Sequence, residues 1–270
     1  LPAGWVYVTV TDDGGCEAID SIEILEPQVQ TSIMSLTNVS CFNINDGTAT
    51  VDVSGGTSPY DYSWSSGGGT NNTTSTSNTE TGLSAGWVYV TVTDNNSCQI
   101  IDSIEITGPQ ILSSSMNGVN VSCFNGNDGT ASIGISGGIS PYDYSWSSGG
   151  STNNTSSTSN TETGLTSGWV YVSITDDNGC EKVDSIEISE PPALGTIING
   201  VNVACYNGNN GSATVNVSGG VSSYDYNWSS GGSTNNTALT SNTETSLTSG
   251  WVYVSVTDDN GCQAVDSIEL

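Results

Sequence analysis

The chain has 270 residues and 34% apolar content, enough for two or more ordinary cores. Its 28 acidic residues face a single base, Lys182, and no His, giving a formal charge of -27. That balance argues against nucleic-acid phosphates and anionic membrane surfaces as partners, and the absence of His excludes a His-based triad or a His-ligated catalytic zinc within this chain.

Trp recurs at positions 5, 87, 169 and 251 and Cys at 16, 98, 180 and 262, so both advance by 82 residues. Cys41, Cys123 and Cys205 keep the same step, as do Trp64, Trp146 and Trp228. This is a tandem array, with Pro-containing junctions at Glu26-Pro27-Gln28, Gly108-Pro109-Gln110 and Glu190-Pro191-Pro192. The expected organisation is the end of a preceding repeat at 1–27, followed by repeats at 28–109, 110–191 and 192–270. No apolar run is long enough to cross a membrane as a helix.

Within one period an initial strand is expected near Gln30 to Leu36. Thr48 to Ser54 alternates, with Ala49, Val51 and Val53 on one face between Gly-containing turns. Tyr60, Tyr62 and Trp64 share the core face of the next strand. The Ser65–Thr81 stretch, rich in Gly, Asn and Thr, reads as a loop or short edge strands with polar turns at Asn71-Asn72 and Asn78. Val88, Val90 and Val92 line a further strand, and Asp94-Asn95-Asn96-Ser97 turns into the strand after Cys98, closing a hairpin. About seven short strands per 82 residues predict an all-β chain of tandem immunoglobulin-like Greek-key β-sandwiches.

Alternation puts Trp87 and Tyr89 opposite the Val face, and Trp5 and Tyr7, Trp169 and Tyr171, and Trp251 and Tyr253 repeat the pair. Either a crossing loop covers these rings or they form a contact strip for a neighbouring chain or a sugar. Aspartates gather at turns, at Asp12-Asp13, Asp94, Asp176-Asp177 and Asp258-Asp259. Calcium would favour such donors, but Asp in turns ordinarily bonds its own backbone, and the third repeat has Asn210 where the others have Asp46 and Asp128. No cofactor is otherwise implied, and no catalytic constellation is present.

The cysteines are too widely spaced for CxxC zinc motifs, so disulfides and an oxidising, extracellular compartment are expected. Three schemes respect the period. Links within a repeat join Cys41 to Cys98, Cys123 to Cys180 and Cys205 to Cys262, and are favoured because each domain then closes on itself. Links across a boundary begin with Cys16 to Cys41. A staggered scheme joins Cys41 to Cys180 and Cys123 to Cys262, and Greek-key strand directions allow it, because a Cys before the second strand and one in the last hairpin can lie at opposite poles.

The ordered run Val39-Ser40-Cys41-Phe42-Asn43, Asn45-Asp46-Gly47-Thr48-Ala49-Thr50, Ser54-Gly55-Gly56 through Tyr60-Asp61-Tyr62-Ser63-Trp64, and Leu83 to Cys98 closely resembles the SprB repeat family. Cys123 to Gly129 and Cys205 to Gly211 repeat it. The resemblance implies a large secreted surface adhesin of Bacteroidota, associated with gliding motility and type IX secretion. It further implies a stalk or filament whose partners are neighbouring repeats of the same chain and a lateral protein or surface glycan. The chain departs from the family pattern in carrying Trp87-Val88-Tyr89, with Val inward and aromatics outward, and Ser223 where earlier repeats have Pro59 and Pro141. Asp-Ser-Ile is similar to an O-glycosylation sequence of this bacterial group, making Ser21, Ser103, Ser185 and Ser267 candidates. Ordinary strand alternation is the competing reading.

Overall fold

The computed structural model describes all residues, 1–270, and contains strands only. By Cα proximity it divides into two compact units, Leu1–Ile111 and Leu112–Leu270.

The first unit opens with a hairpin of β1 (Gly4–Thr11) and β2 (Glu17–Ile24), paired from Gly4↔Ile24 to Thr11↔Glu17. Seven strands follow: β3 (Thr31–Thr37), β4 (Gly47–Ser54), β5 (Tyr60–Trp64), β6 (Gly69–Thr73), β7 (Ser77–Leu83), β8 (Gly86–Asp94) and β9 (Gln99–Ile106). They form two sheets, β3-β4-β7 and β6-β5-β8-β9, with antiparallel pairing throughout. Strand β7 returns to pair with β4 and β8 returns to pair with β5. This is the crossed connectivity of Ig- and fibronectin-III-like sandwiches.

Period-two alternation drives this fold. In β4, Ala49, Val51 and Val53 point into the sandwich while Thr50 and Asp52 point away, and in β5 Tyr60, Tyr62 and Trp64 are buried with Asp61 and Ser63 outside. Val88, Val90 and Val92 of β8 and Ile106 of β9 lie in the sheet of β5, and Leu83 of β7 joins Ala49, Val51 and Val53 from the opposite sheet. Each buried valine contributes about 1.5–3 kcal/mol relative to exposure.

The polar tips of the aromatics are satisfied. Trp64 Nε1 donates to Asn78 Oδ1 at 2.7 Å, and Asn78 Nδ2 donates to Thr70 Oγ1. The Tyr62 hydroxyl donates to the Ser75 carbonyl and that of Tyr60 to Gly55. The Ser65–Thr81 stretch is therefore two ordered strands, and the expected turns need correction. Asn71 and Asn72 lie in β6, beside a register shift opposite Tyr60–Tyr62, and Asn78 lies inside β7 as the acceptor for the buried indole.

The second unit contains the pattern twice. Its first seven strands are β10 (Ser113–Val119), β11 (Gly129–Ser136), β12 (Tyr142–Trp146), β13 (Ser151–Thr155), β14 (Ser159–Leu165), β15 (Gly168–Asp176) and β16 (Glu181–Ile188). The next seven are β17 (Gly195–Val201), β18 (Gly211–Ser218), β19 (Tyr224–Trp228), β20 (Ser233–Thr237), β21 (Ser241–Leu247), β22 (Trp251–Asp258) and β23 (Gln263–Glu269). Sheet orders repeat those of the first unit, and the two sandwiches keep separate cores around Tyr144 and Tyr226. The indole-to-Asn bonds recur as Trp146–Asn160 and Trp228–Asn242, each 2.7 Å.

Candidate contact strip and inter-repeat joint

The outward face of β8 carries Trp87 and Tyr89, with Glu105 and Ser103 opposite them on β9. No loop crosses them. Trp5, Trp87, Trp169 and Trp251 are 56–58% exposed, and the paired tyrosines are similarly open. Ring centroids are 6.3–6.5 Å apart in the Trp5–Tyr7, Trp169–Tyr171 and Trp251–Tyr253 pairs, with interplanar angles of 29–31°. The backbone behind them is fixed, because Tyr89 N–H donates to Ser65 Oγ and Tyr89 C=O accepts from Ser65 N–H. An exposed Trp–Tyr pair thus recurs once per 82 residues on a pleated surface.

The turn aspartates serve the backbone. Asp94 is 5% exposed. Its Oδ1 accepts the N–H groups of Asn96 and Cys98 and its Oδ2 that of Thr57, all at 2.9 Å. Burial opposes ionisation here, yet the amides of Cys98, Thr57 and Asn96 outweigh it and hold the carboxyl below its ordinary range. Asp46 and Asp128 accept from Ser40 and Ser122, and those bonds lower both carboxyls. Asn210 accepts from Ala204 N–H in the same way, which explains why the third repeat needs no carboxylate there. Nowhere do three His, Cys, Asp or Glu side chains gather as metal ligands. The calcium reading therefore finds no donor cluster.

The Asp-Ser-Ile triplet also has a local task. Asp102 accepts Ser103 N–H and, from the other sheet, the hydroxyl of Ser32 at 2.8 Å, tying edge strands β9 and β3 together. Ser114 and Asp184 repeat the tie at 2.7 Å. Ser103 itself lies outward, opposite Tyr89 in register.

The favoured disulfide scheme is corrected by the structure. Cys123 is bonded to Cys262 with Cα atoms 5.7 Å apart, and Cys98, Cys205 and Cys16 are free and exposed. Cys41 and Cys180 are each disulfide-bonded. The links Cys41–Cys98, Cys123–Cys180 and Cys205–Cys262 are absent for a geometric reason. Within the second repeat, Cys123 lies in the loop between β10 and β11, at the pole where Val121 N–H meets Ser189 C=O, whereas Cys180 closes the β15–β16 turn. Nine-residue β15 separates those poles by roughly 26 Å at ~3.3 Å per residue, far beyond disulfide reach. The loop of one sandwich instead meets the final turn of the next. Phe124, Pro192, Leu194 and Gln263 surround the bond, and Asn260 Nδ2 donates to Ser122 C=O at 2.8 Å.

The chain is thus an array of Ig-like sandwiches, of which the second and third are covalently joined. The family match agrees: residues 34–69, 117–151 and 198–233, one segment in each sandwich, belong to the SprB repeat family. The chain is accordingly a repetitive extracellular adhesin module of the kind found in gliding-motility proteins on bacterial cell surfaces. No curated protein matches its sequence. Among solved structures, a three-domain Ig segment of titin is 12% identical over 91% of this chain and 98% of that one, with a TM-score of 0.44. The fibronectin(III)-like modules of Clostridium thermocellum CbhA are 14% identical over 58% and 92%, with a TM-score of 0.28. At such scores the likeness adds nothing to the strand order, which assigns the fold by itself.

Proposed function

We propose that the repeats at 28–109, 110–191 and 192–270 are successive beads of an adhesive stalk, and that the Trp–Tyr strip makes its lateral contacts with surface glycans. The observation that carries this reading is the open aromatic pair, recurring in the same strand position in every repeat and in the leading hairpin. Sugar rings stack on such faces through C–H groups, and the flanking hydroxyls and Glu105 offer polar partners. A chain of charge -27 repels anionic glycans, so neutral ones are favoured. Individually weak contacts gain avidity from repetition along one chain.

A glycan array with neutral and anionic sets tests the proposal. Binding confined to neutral glycans, lost when Trp87, Trp169 and Trp251 are changed to Ala while the melting temperature holds, supports it. Unchanged binding in that variant removes it, and concentration-dependent sedimentation abolished by the same substitutions would assign the strip to chain–chain contact instead. An O-linked sugar on Ser103 would lie beside the Tyr89 ring, and intact mass of the native protein measures it.

A further inference from the structure

The Cys123–Cys262 bond spans 139 residues of sequence, more than one 82-residue period, yet its Cα atoms are 5.7 Å apart. Residues 124–261 therefore form a covalently closed loop holding nearly all of two adjacent sandwiches. Outside it lie β10, which leads into Cys123, and β23, which leads out of Cys262.

We propose that this bond is a load-bearing joint that diverts tension around the sandwich cores. Pulled from its ends, the chain carries force along β10 and across the bond into β23. Both are extended strands, at ~3.3 Å per residue against a limit of about 3.6 Å, so they have little length to yield. With Cys123–Cys262 as the only bond, strands β11 to β22 are spared, since no force then runs from one end of the closed loop to the other; Cys180, inside the loop, is itself disulfide-bonded, so the test removes it. Tension in β10 and β23 is resisted by their full ladders with β11 and β22 and by the Ser114–Asp184 tie. A bond within each repeat would have left every inter-sandwich linker in the load path. The staggered bond takes 189–194, the short linker between the two sandwiches, out of it. The Asn260 bond to Ser122 also joins the poles but does not close the loop covalently, so the mechanical effect rests on the sulfur–sulfur bond. It stands whether or not the aromatic strip binds sugar.

The test is single-molecule stretching of the full chain by its ends, with Cys16, Cys41, Cys98, Cys180 and Cys205 changed to Ser so that one bond can form. The oxidised chain is expected to fall short of its fully extended length by the 139-residue loop, roughly 500 Å at ~3.6 Å per residue. It should show one sandwich unfolding event. Tris(2-carboxyethyl)phosphine should restore that length and raise the events to three. Equal lengths with and without reductant would overturn the proposal. Should the five-fold variant fail to fold, peptide mapping of the unaltered chain under non-reducing conditions decides the pairing. A peptide pair joining Cys123 to Cys262 upholds it, and one joining Cys123 to Cys180 ends it, since that loop would shield only 57 residues.

Discussion

The hairpin Gly4–Ile24 and its counterpart Gly86–Ile106 have nearly the same sequence and the same register, Trp5↔Glu23 in one and Trp87↔Glu105 in the other. Their inner faces differ completely. Val8 and Val10 are 57% and 63% exposed, whereas Val90 and Val92 are 1% and 0%. Their outer faces do not differ, with Trp5 at 56% and Trp87 at 57%. The register is the same in both, while burial of the inner valines comes from an opposite sheet packed on them. The outward placement of the aromatics follows from strand parity alone and is therefore the same in both.

The largest way to stress that contrast is to empty the core of a closed sandwich. Trp64→Ala removes a buried ring and leaves Asn78 Oδ1 without its donor, and should cost about 3–5 kcal/mol. The loss should appear as early unfolding of that sandwich alone in calorimetry, since its core is separate from those around Tyr144 and Tyr226. A cooperative shift of all three sandwiches would deny their independence. Next comes a matched pair. Val92→Thr buries a hydroxyl and should cost roughly 1–3 kcal/mol, while Val10→Thr at the equivalent exposed position should leave thermal unfolding unchanged. Asn78→Ala, which deprives the Trp64 indole of its acceptor, should cost about 1–3 kcal/mol without changing the core's shape.

These contrasts also mark what could be read without coordinates. Alternation in Thr48–Ser54 and Tyr60–Trp64 specifies strand faces directly, because a one-residue slip would expose every apolar side chain. The outward placement of Trp87 and Tyr89 followed from the same parity. For the Ser65–Thr81 stretch the same logic left loop and edge strands both open, because its strands pair through Thr and Asn with little apolar signal. The trace that was present is the recurrence of Asn fourteen residues after the core Trp, at 78, 160 and 242. A buried indole needs an acceptor, and that fixed spacing could have supplied it. The disulfide partners were illegible for a different reason. Loop closure favours short spans in the unfolded chain, but pairing is set by which poles meet in the folded one. That depends on strand length and direction, not on separation in sequence.

The smallest effect separates the two hairpin turns. Asp12 and Asp94 are equivalent by repeat, and each accepts two turn amides on Oδ1, from Gly14 and Cys16 in one case and from Asn96 and Cys98 in the other. Asp94 alone receives a donor from the neighbouring strand connection, with Thr57 N–H on Oδ2. An Asn side chain keeps one acceptor oxygen, so Asp12→Asn should preserve both turn bonds and leave stability unchanged. Asp94→Asn must turn its NH₂ toward a backbone N–H and lose a bond. The pH dependence follows from the lowered folded pKa of Asp94. An unfolded carboxyl titrates near ~3.9, so its stabilising contribution is complete above about pH 4 and is lost as acid takes the pH down through the lower, folded value. Thermal unfolding of the unaltered chain should therefore fall on acidification below about pH 4. The Asp94→Asn chain should begin lower and fall less, because the group whose protonation matters is gone. Parallel acid profiles for the two chains would show that the turn carboxylate, despite its three amide donors, does not set the acid limit of the sandwich.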